Sequence, residues 1–361
     1  MVHMLPSLHG FGQSLWLEKI TAEQLQTGFL FQHIKESSIM GASVYPGACA
    51  LTLRNTAAYD NAIRKRLKDG FYGEQLALEL LLDDARHAAD LLRPTFDRTD
   101  GVDGWVELRV LPLSTTDSPS LVTALTNLYA KVKRPNILVT IPSLPDWQDA
   151  IEEIVFREIP VNIIAIFSGE QFLMAAQTCL QGIQRRIFSG LRPVAPIYTS
   201  ISISSLLAAL SEKLPKEIFP QVGVAMARRI YKISYNLRHS RLWECAYNAG
   251  VRPLRLIWKI ESDDDGQQQG ASLLQSLMAP LTVTAIPRAM LSTTLESCHS
   301  CTSMPKDGGD CEKILSRFLK DRFDVNGLAD NLQRDETISL TNSWIQLLDA
   351  VAYKSAALTN G

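Results

Sequence analysis

Eight short runs rich in β-branched and aromatic residues alternate along this chain with longer segments of helical period, and that alternation limits its folds more than any other feature. The runs are QSLWLE (13–18), MGASVY (40–45), WVELRVLP (105–112), NILVTIP (136–142), VNIIAIFS (161–168), PIYTSISI (196–203), LRLIWKI (254–260) and LTVTAIP (281–287). Strands separated by helices pair in parallel and are covered by those helices. Eight such units predict an α/β fold, a closed (β/α)8 TIM barrel. Helical period is clearest over 74–92 and 170–187, where apolar residues recur at three and four. The irregular stretches at 261–272 and 298–311 do not divide the chain into two cores. One barrel over 1–361 is therefore expected, with a helical extension at about 309–356.

Charge narrows the partners. A net charge of -2 and a pI near 6.3 give no basic footprint for nucleic acid, and the basic residues are scattered. No apolar run reaches membrane-spanning length, and the N-terminus lacks the pattern of a secretory signal. Six cysteines spread over 361 residues suit reduced thiols, so a cytoplasmic location is expected. A small-molecule substrate is the expected partner, and a homo-oligomer stays open.

In such a barrel the chemistry sits at the C-terminal ends of the strands. The late strand positions are Glu18, Tyr45, Arg109, Thr140, Ile164 and Lys259. An arginine inside a barrel must be paired or hold an anion, because its desolvation is otherwise uncompensated. Glu18 and Glu107 are the partners in reach of Arg109. Lys259 is either a snorkelling lysine pointing outward or an inward amine nucleophile, activated by an apolar wall or by Arg109. Glu261, Asp263, Asp264 and Asp265 form an acidic run that would take Mg2+, the one cofactor the sequence suggests, or else make a solvated loop. Cys298, His299, Cys301 and Cys311 lack the paired knuckles of a zinc site. Asp83 and Asp84 read as the polar face of an outer helix.

The segments HGFGQSLWLEKIT, DARHAADLLRPTFDRTDGVDGWVEL, KVKRPNILVTIP, VNIIAIFSGEQF and AGVRPLRLIWK, in that order and spacing, resemble the transaldolase family in its longer bacterial form. The resemblance implies a class I aldolase barrel and a lysine on the fourth strand that forms a Schiff base with a ketose phosphate. Thr140 stands at that position, and a hydroxyl cannot form a protonated imine. By the same resemblance Arg109 replaces a glutamate, Ile164 a threonine, Glu18 an aspartate and Tyr45 a small amide. In SISISS (200–205), Ser205 replaces an arginine that would grip phosphate. Lys259 stands where the family has a small residue.

These changes predict a repurposed enzyme without transaldolase activity, performing lyase- or cyclase-type carbon–carbon chemistry in specialised metabolism. Glu18 would be the acid/base group, Arg109 an anion anchor and Lys259 a further catalytic candidate. Tyr45, Thr140, Ile164, Ser200, Ser205 and Trp258 would line a mouth more apolar than a sugar-phosphate site. The alternatives are a Mg2+-dependent prenyl-diphosphate cyclase or transferase, a non-catalytic binding protein, and an aldolase acting through Lys259.

Overall fold

The computed structural model describes residues 8–37, 39–111, 117–194, 196–261, 267–297, 303–318 and 324–359. Its strands are β1 (Gln13–Leu17), β2 (Ile39–Val44), β3 (Trp105–Leu108), β4 (Ile137–Pro142), β5 (Val161–Ile164), β6 (Ile197–Ser202), β7 (Arg255–Lys259) and β8 (Thr282–Ile286). All pair in parallel in chain order, and β1 closes the barrel on β8 with Gln13 opposite Thr282 and Leu17 opposite Ile286. Eight strands with covering helices make a (β/α)8 barrel. The expected strand runs are all present; β2 keeps six residues one position earlier and the others are shorter. β3 stops at Leu108 rather than 112 and β5 at Ile164 rather than 168, because the chain leaves the sheet there; Ala165 turns it with a left-handed φ of 60°.

Alternation along each strand sorts the side chains into two cores. Leu15, Leu17, Val106, Leu108, Val139, Ile163 and Leu256 join the layer between sheet and helices. Trp16, Trp105, Leu138, Tyr198, Ile257, Val283 and Ala285 fill the barrel interior. Trp16 needs a glycine opposite it: a Cβ on Gly41 would lie 2.4 Å from its ring. Trp258 belongs to the outer core, one position out of phase with the inward Ile257 and Lys259, so it does not line the barrel mouth as the sequence suggested.

The helix Gly73–Arg98 extends the periodic segment seen in the sequence. Asp83 pairs with Arg66 at 2.9 Å and Arg86 at 2.8 Å and lies on the helix's polar side. Asp84 corrects that reading. It is buried and hydrogen-bonded by the Tyr59 hydroxyl, and burial pushes its pKa up to about 7.

The expected extension comprises Cys311–Phe318 and a helix of 35 residues, Val325–Thr359, which lies across the C-terminal ends of the strands. Gln333 of this helix donates from Nε2 to the carbonyls of Ser143, at 2.7 Å, and Ala165, at 3.0 Å. Those carbonyls follow β4 and β5 where the sheet no longer supplies partners. One glutamine thus satisfies two buried acceptors and fixes the helix over the barrel.

Candidate active site

Inward positions stack in tiers along the barrel. The N-terminal end is closed by Arg255, which donates to Ser14 Oγ at 2.7 Å, Asp103 Oδ1 at 2.9 Å and the Val102 carbonyl at 2.7 Å. Above it lies the aromatic tier of Trp16, Trp105 and Tyr198. The next tier is polar. Glu107, two residues after Trp105, is fully buried and accepts from Lys259 Nζ at 2.9 and 2.8 Å, from Asn162 Nδ2 at 2.7 Å and from Thr140 Oγ1 at 3.3 Å. Asn162 also exchanges hydrogen bonds with Ser200 Oγ at 2.6 and 2.9 Å.

Lys259 points inward with its side chain 2% exposed, and a second carboxylate, Glu18, lies 3.5 Å from Nζ. The apolar wall expected around this amine is absent: two glutamates flank it. Arg109 sits above, 3.1 Å from Glu336, 3.8 Å from Glu18 and 3.9 Å from Glu107, with its guanidinium 5.3 Å from the Tyr45 ring centre. Both intramolecular partners foreseen for Arg109 are in place. Glu336, from the C-terminal helix, is the one that sequence reasoning missed.

The carboxylates experience different fields. Burial alone would raise Glu107, but Lys259 and Arg109 outweigh it and hold this carboxyl below its ordinary value. Burial also opposes the charge of Arg109, yet the three glutamates around it raise its pKa above an already high value. Glu336 goes the other way: burial lifts it despite Arg109 and Lys259. Glu18 is buried with neither oxygen hydrogen-bonded, and Glu336 Oε2 is likewise buried without a donor. Arg109 Nε is buried without an acceptor as well, so the cluster leaves one donor and three carboxylate oxygens unpaired.

Lys259 and Arg109 form part of the lining of a cavity of about 270 Å3 that also meets Lys19, Tyr45, Ser202, Ser205, Glu261, Leu332, Asp335, Glu336 and Ser339. This lining is charged, which corrects the expected apolar mouth. Thr140, Ile164 and Ser200 are buried and do not border the cavity; Thr140 and Ser200 act below it through Glu107 and Asn162. Lys19 and Glu261 pair at 2.9 Å across the rim. Asp263, Asp264 and Asp265 lie outside the described residues, as do Cys298, His299 and Cys301. Among the described residues no group of three or more histidines, cysteines and carboxylates is placed to hold a metal ion.

A larger hollow of about 420 Å3 lies at the other end of the barrel, bordered by Trp105, Pro135, Pro160 and Pro196, the residues that start β3 or precede β4, β5 and β6. Its charged lining residues are Asp97, Asp100, Glu158 and Arg252, the last paired with Asp100 at 2.9 Å, and barrels of this kind work from the opposite end.

Asn162 left a sequence signal that went unused, a polar residue at inward parity within an apolar strand; Glu107 was foreseen only as a partner of Arg109. Glu336 left none, since its contact with Arg109 spans 227 residues.

Comparison with known proteins adds ancestry to this geometry. The family model described as Transaldolase/Fructose-6-phosphate aldolase matches residues 15–351. A protein named Transaldolase from Thermobifida fusca (strain YX) is 27% identical over 98% of this chain and 99% of its own. One of the same name from Acidothermus cellulolyticus is 27% identical over 97% and 96%. Transaldolase 2 of Nostoc sp. (strain PCC 7120) is 22% identical over 92% of each chain.

Proposed function

The chain belongs to the transaldolase/fructose-6-phosphate aldolase family, and from that premise we propose that it is a repurposed lyase-type enzyme acting on the carbonyl of a small substrate, with its amine on β7 rather than β4. The observation that carries the proposal is the position of Lys259: its Nζ lies inside the barrel at the edge of the 270 Å3 cavity, between Glu107 and Glu18. Thr140, at the position where the resemblance places the family's Schiff-base lysine, offers only a hydroxyl and spends it on Glu107.

In this reading Lys259 gives a proton to Glu18 and its freed lone pair adds to the substrate carbonyl carbon, forming a carbinolamine. Loss of water, with Glu18 returning the proton to the departing oxygen, leaves an iminium ion. That cation accepts the electron pair when the bond from the adjacent carbon to a hydroxyl-bearing carbon breaks: Glu18 takes the hydroxyl proton, the aldehyde fragment departs and an enamine is left; Glu18 then returns the proton to the adjacent carbon, and water hydrolyses the resulting iminium ion to release the carbonyl product and restore the amine. Glu107, held ionised by its neighbours, serves as a fixed counter-ion. Glu18, whose oxygens have no hydrogen-bond donor, is the group free to exchange protons. Arg109 steadies the developing charge on the carbonyl oxygen.

The prenyl-diphosphate alternative loses physical support, because the lining is charged and leaves little apolar surface for an isoprenoid chain. A second reading, a binding protein without turnover, is favoured by one observation: Lys259 already donates to both oxygens of Glu107.

Borohydride reduction in the presence of dihydroxyacetone or glyceraldehyde, followed by peptide mass mapping, separates the two. The expected result is a stable adduct on Lys259 that is absent from Lys259→Met and formed more slowly by Glu18→Gln. No adduct in the wild-type protein, or one that survives Lys259→Met unchanged, would overturn the lysine mechanism.

A further inference from the structure

Two carboxylates in the barrel mouth keep its cations away from a third. Arg109 lies 3.1 Å from Glu336, 3.8 Å from Glu18 and 3.9 Å from Glu107, and only the first of these contacts is a hydrogen bond. Lys259 is shared in the same way: it gives hydrogen bonds to both oxygens of Glu107, at 2.9 and 2.8 Å, and stays 3.5 Å from Glu18. Glu18 therefore faces two cations and is hydrogen-bonded by neither.

Charge attraction by itself would not leave Glu18 bare. Both of its oxygens are buried without a donor, and Arg109 Nε is buried without an acceptor. A swing of the guanidinium that closed the 3.8 Å gap to about 2.8 Å would bring a donor to an oxygen that lacks one. Glu107 is a poorer destination, because its oxygens already accept from Lys259, Asn162 and Thr140. The contact that opposes the swing is the hydrogen bond from Arg109 to Glu336.

We propose that Glu336 is a positioning residue: by holding the Arg109 guanidinium at the cavity it leaves Glu18 free to take the proton of Lys259 and return it. This role rests on the lysine chemistry proposed above and adds to it the group that keeps its base available. A carboxylate gripped by a guanidinium is a poorer proton acceptor than one without that partner. The residues on either side of the choice support the assignment. Glu336 and Tyr45, whose ring centre lies 5.3 Å from the guanidinium, both line the cavity, whereas Glu18 and Glu107 do not. The Tyr45 ring is itself backed by Gly47, where a Cβ would come within 2.8 Å of it. Glu336 is set in place from its own helix, since Gln333, three residues earlier and on the same face, ties that helix to the carbonyls of Ser143 and Ala165.

Crystal structures of the wild type and Glu336→Gln at one pH, together with borohydride trapping of dihydroxyacetone, test the role. Glutamine keeps the shape of glutamate and loses its charge, and Glu336→Met offers the same test should the glutamine variant not fold. Arg109 is expected within hydrogen-bond distance of Glu18 in the variant, and trapping on Lys259 is expected to be about tenfold slower. Glu336→Asp, which keeps the charge, should trap faster than Glu336→Gln. The double variant Glu18→Gln/Glu336→Gln should be no slower than Glu18→Gln alone, because the two residues act in one line, whereas general damage to the fold would add. An Arg109 that stays off Glu18 in the variant, equal rates for Glu336→Asp and Glu336→Gln, or effects that multiply in the double variant would each overturn the role. Should the wild type form no adduct, the lysine chemistry falls and the crystal structures decide alone: Arg109 on Glu18 in the variant keeps the positioning role, and an unmoved Arg109 removes it.

Discussion

The two ends of the barrel interior each hold buried charge, and they are built to opposite plans. At the N-terminal end a single cation, Arg255, meets a single carboxylate, Asp103, whose Oδ1 also accepts from Ser14 at 2.6 Å. Charges balance there, although Arg255 Nε, Trp16 Nε1 and Gln13 Oε1 are buried without a hydrogen-bond partner. At the C-terminal end Lys259 and Arg109 face Glu18, Glu107 and Glu336, one carboxylate more than the cations can neutralise, and three carboxylate oxygens receive no donor. Balanced buried charge serves to hold the closed end together. Unbalanced charge is retained only where something outside the fold completes it, since an unpaired buried group costs stability.

The contrast can be broken by removing one charge at each end. Arg255→Met should be the most damaging change, costing about 3–5 kcal/mol in chemical denaturation because it strands a buried carboxylate. A cost under about 1 kcal/mol would mean that the closed end is not the structural cluster described here.

A buried carboxyl outside the barrel calibrates that figure. Asp84 has a folded-state pKa of about 7, above its ordinary value of 3.8. A raised carboxyl contributes stability that is fully present below its unfolded pKa and is lost as pH rises through its folded one. Stability of the wild-type protein should therefore decline between about pH 4 and pH 7, by roughly 4 kcal/mol at most from this group alone. Asp84→Asn should flatten the decline, and unchanged pH profiles of the melting temperature in the two proteins would refute the assignment.

The smallest effect should carry the opposite sign. Glu18→Gln removes the surplus negative charge at the mouth, so the folded protein should be unchanged or more stable by about 1 kcal/mol while carbonyl trapping slows. A loss of stability comparable with that of Arg255→Met would place Glu18 among the structural charges.

Much of the fold was legible beforehand. β-branched runs such as NILVTIP, flanked by helical periodicity, announced all eight strands, and only their ends were misjudged, by one residue in most and by four at Leu108 and Ile164. The site was legible in part. Glu18 and Arg109 could be singled out by their late strand positions, but the direction of Lys259 and Trp258 could not. In a strand buried on both faces every residue sits in a protein environment, so LRLIWKI carries only a partial signal, Arg255 and Lys259 at one parity with Ile257 between them. Trp258 and Lys259 are adjacent, and choosing one for the interior excludes the other.

The expected apolar mouth failed for a related reason. It weighed Ile164 and Tyr45 at the strand ends, whereas the charged character of the cavity comes from Lys19, Arg109, Lys259 and Glu261 at the barrel rim together with Asp335 and Glu336 on the C-terminal helix. By itself the sequence determined the eightfold alternation, and with it the barrel and the end that bears the chemistry, because periodicity is a local property of the chain. Only the tertiary structure decided which charges meet. The pairing of Arg109 with Glu336 and of Lys259 with Glu107 depends on closing the barrel and laying a distant helix across it, and distance in space between residues so far apart in sequence is written into no local pattern.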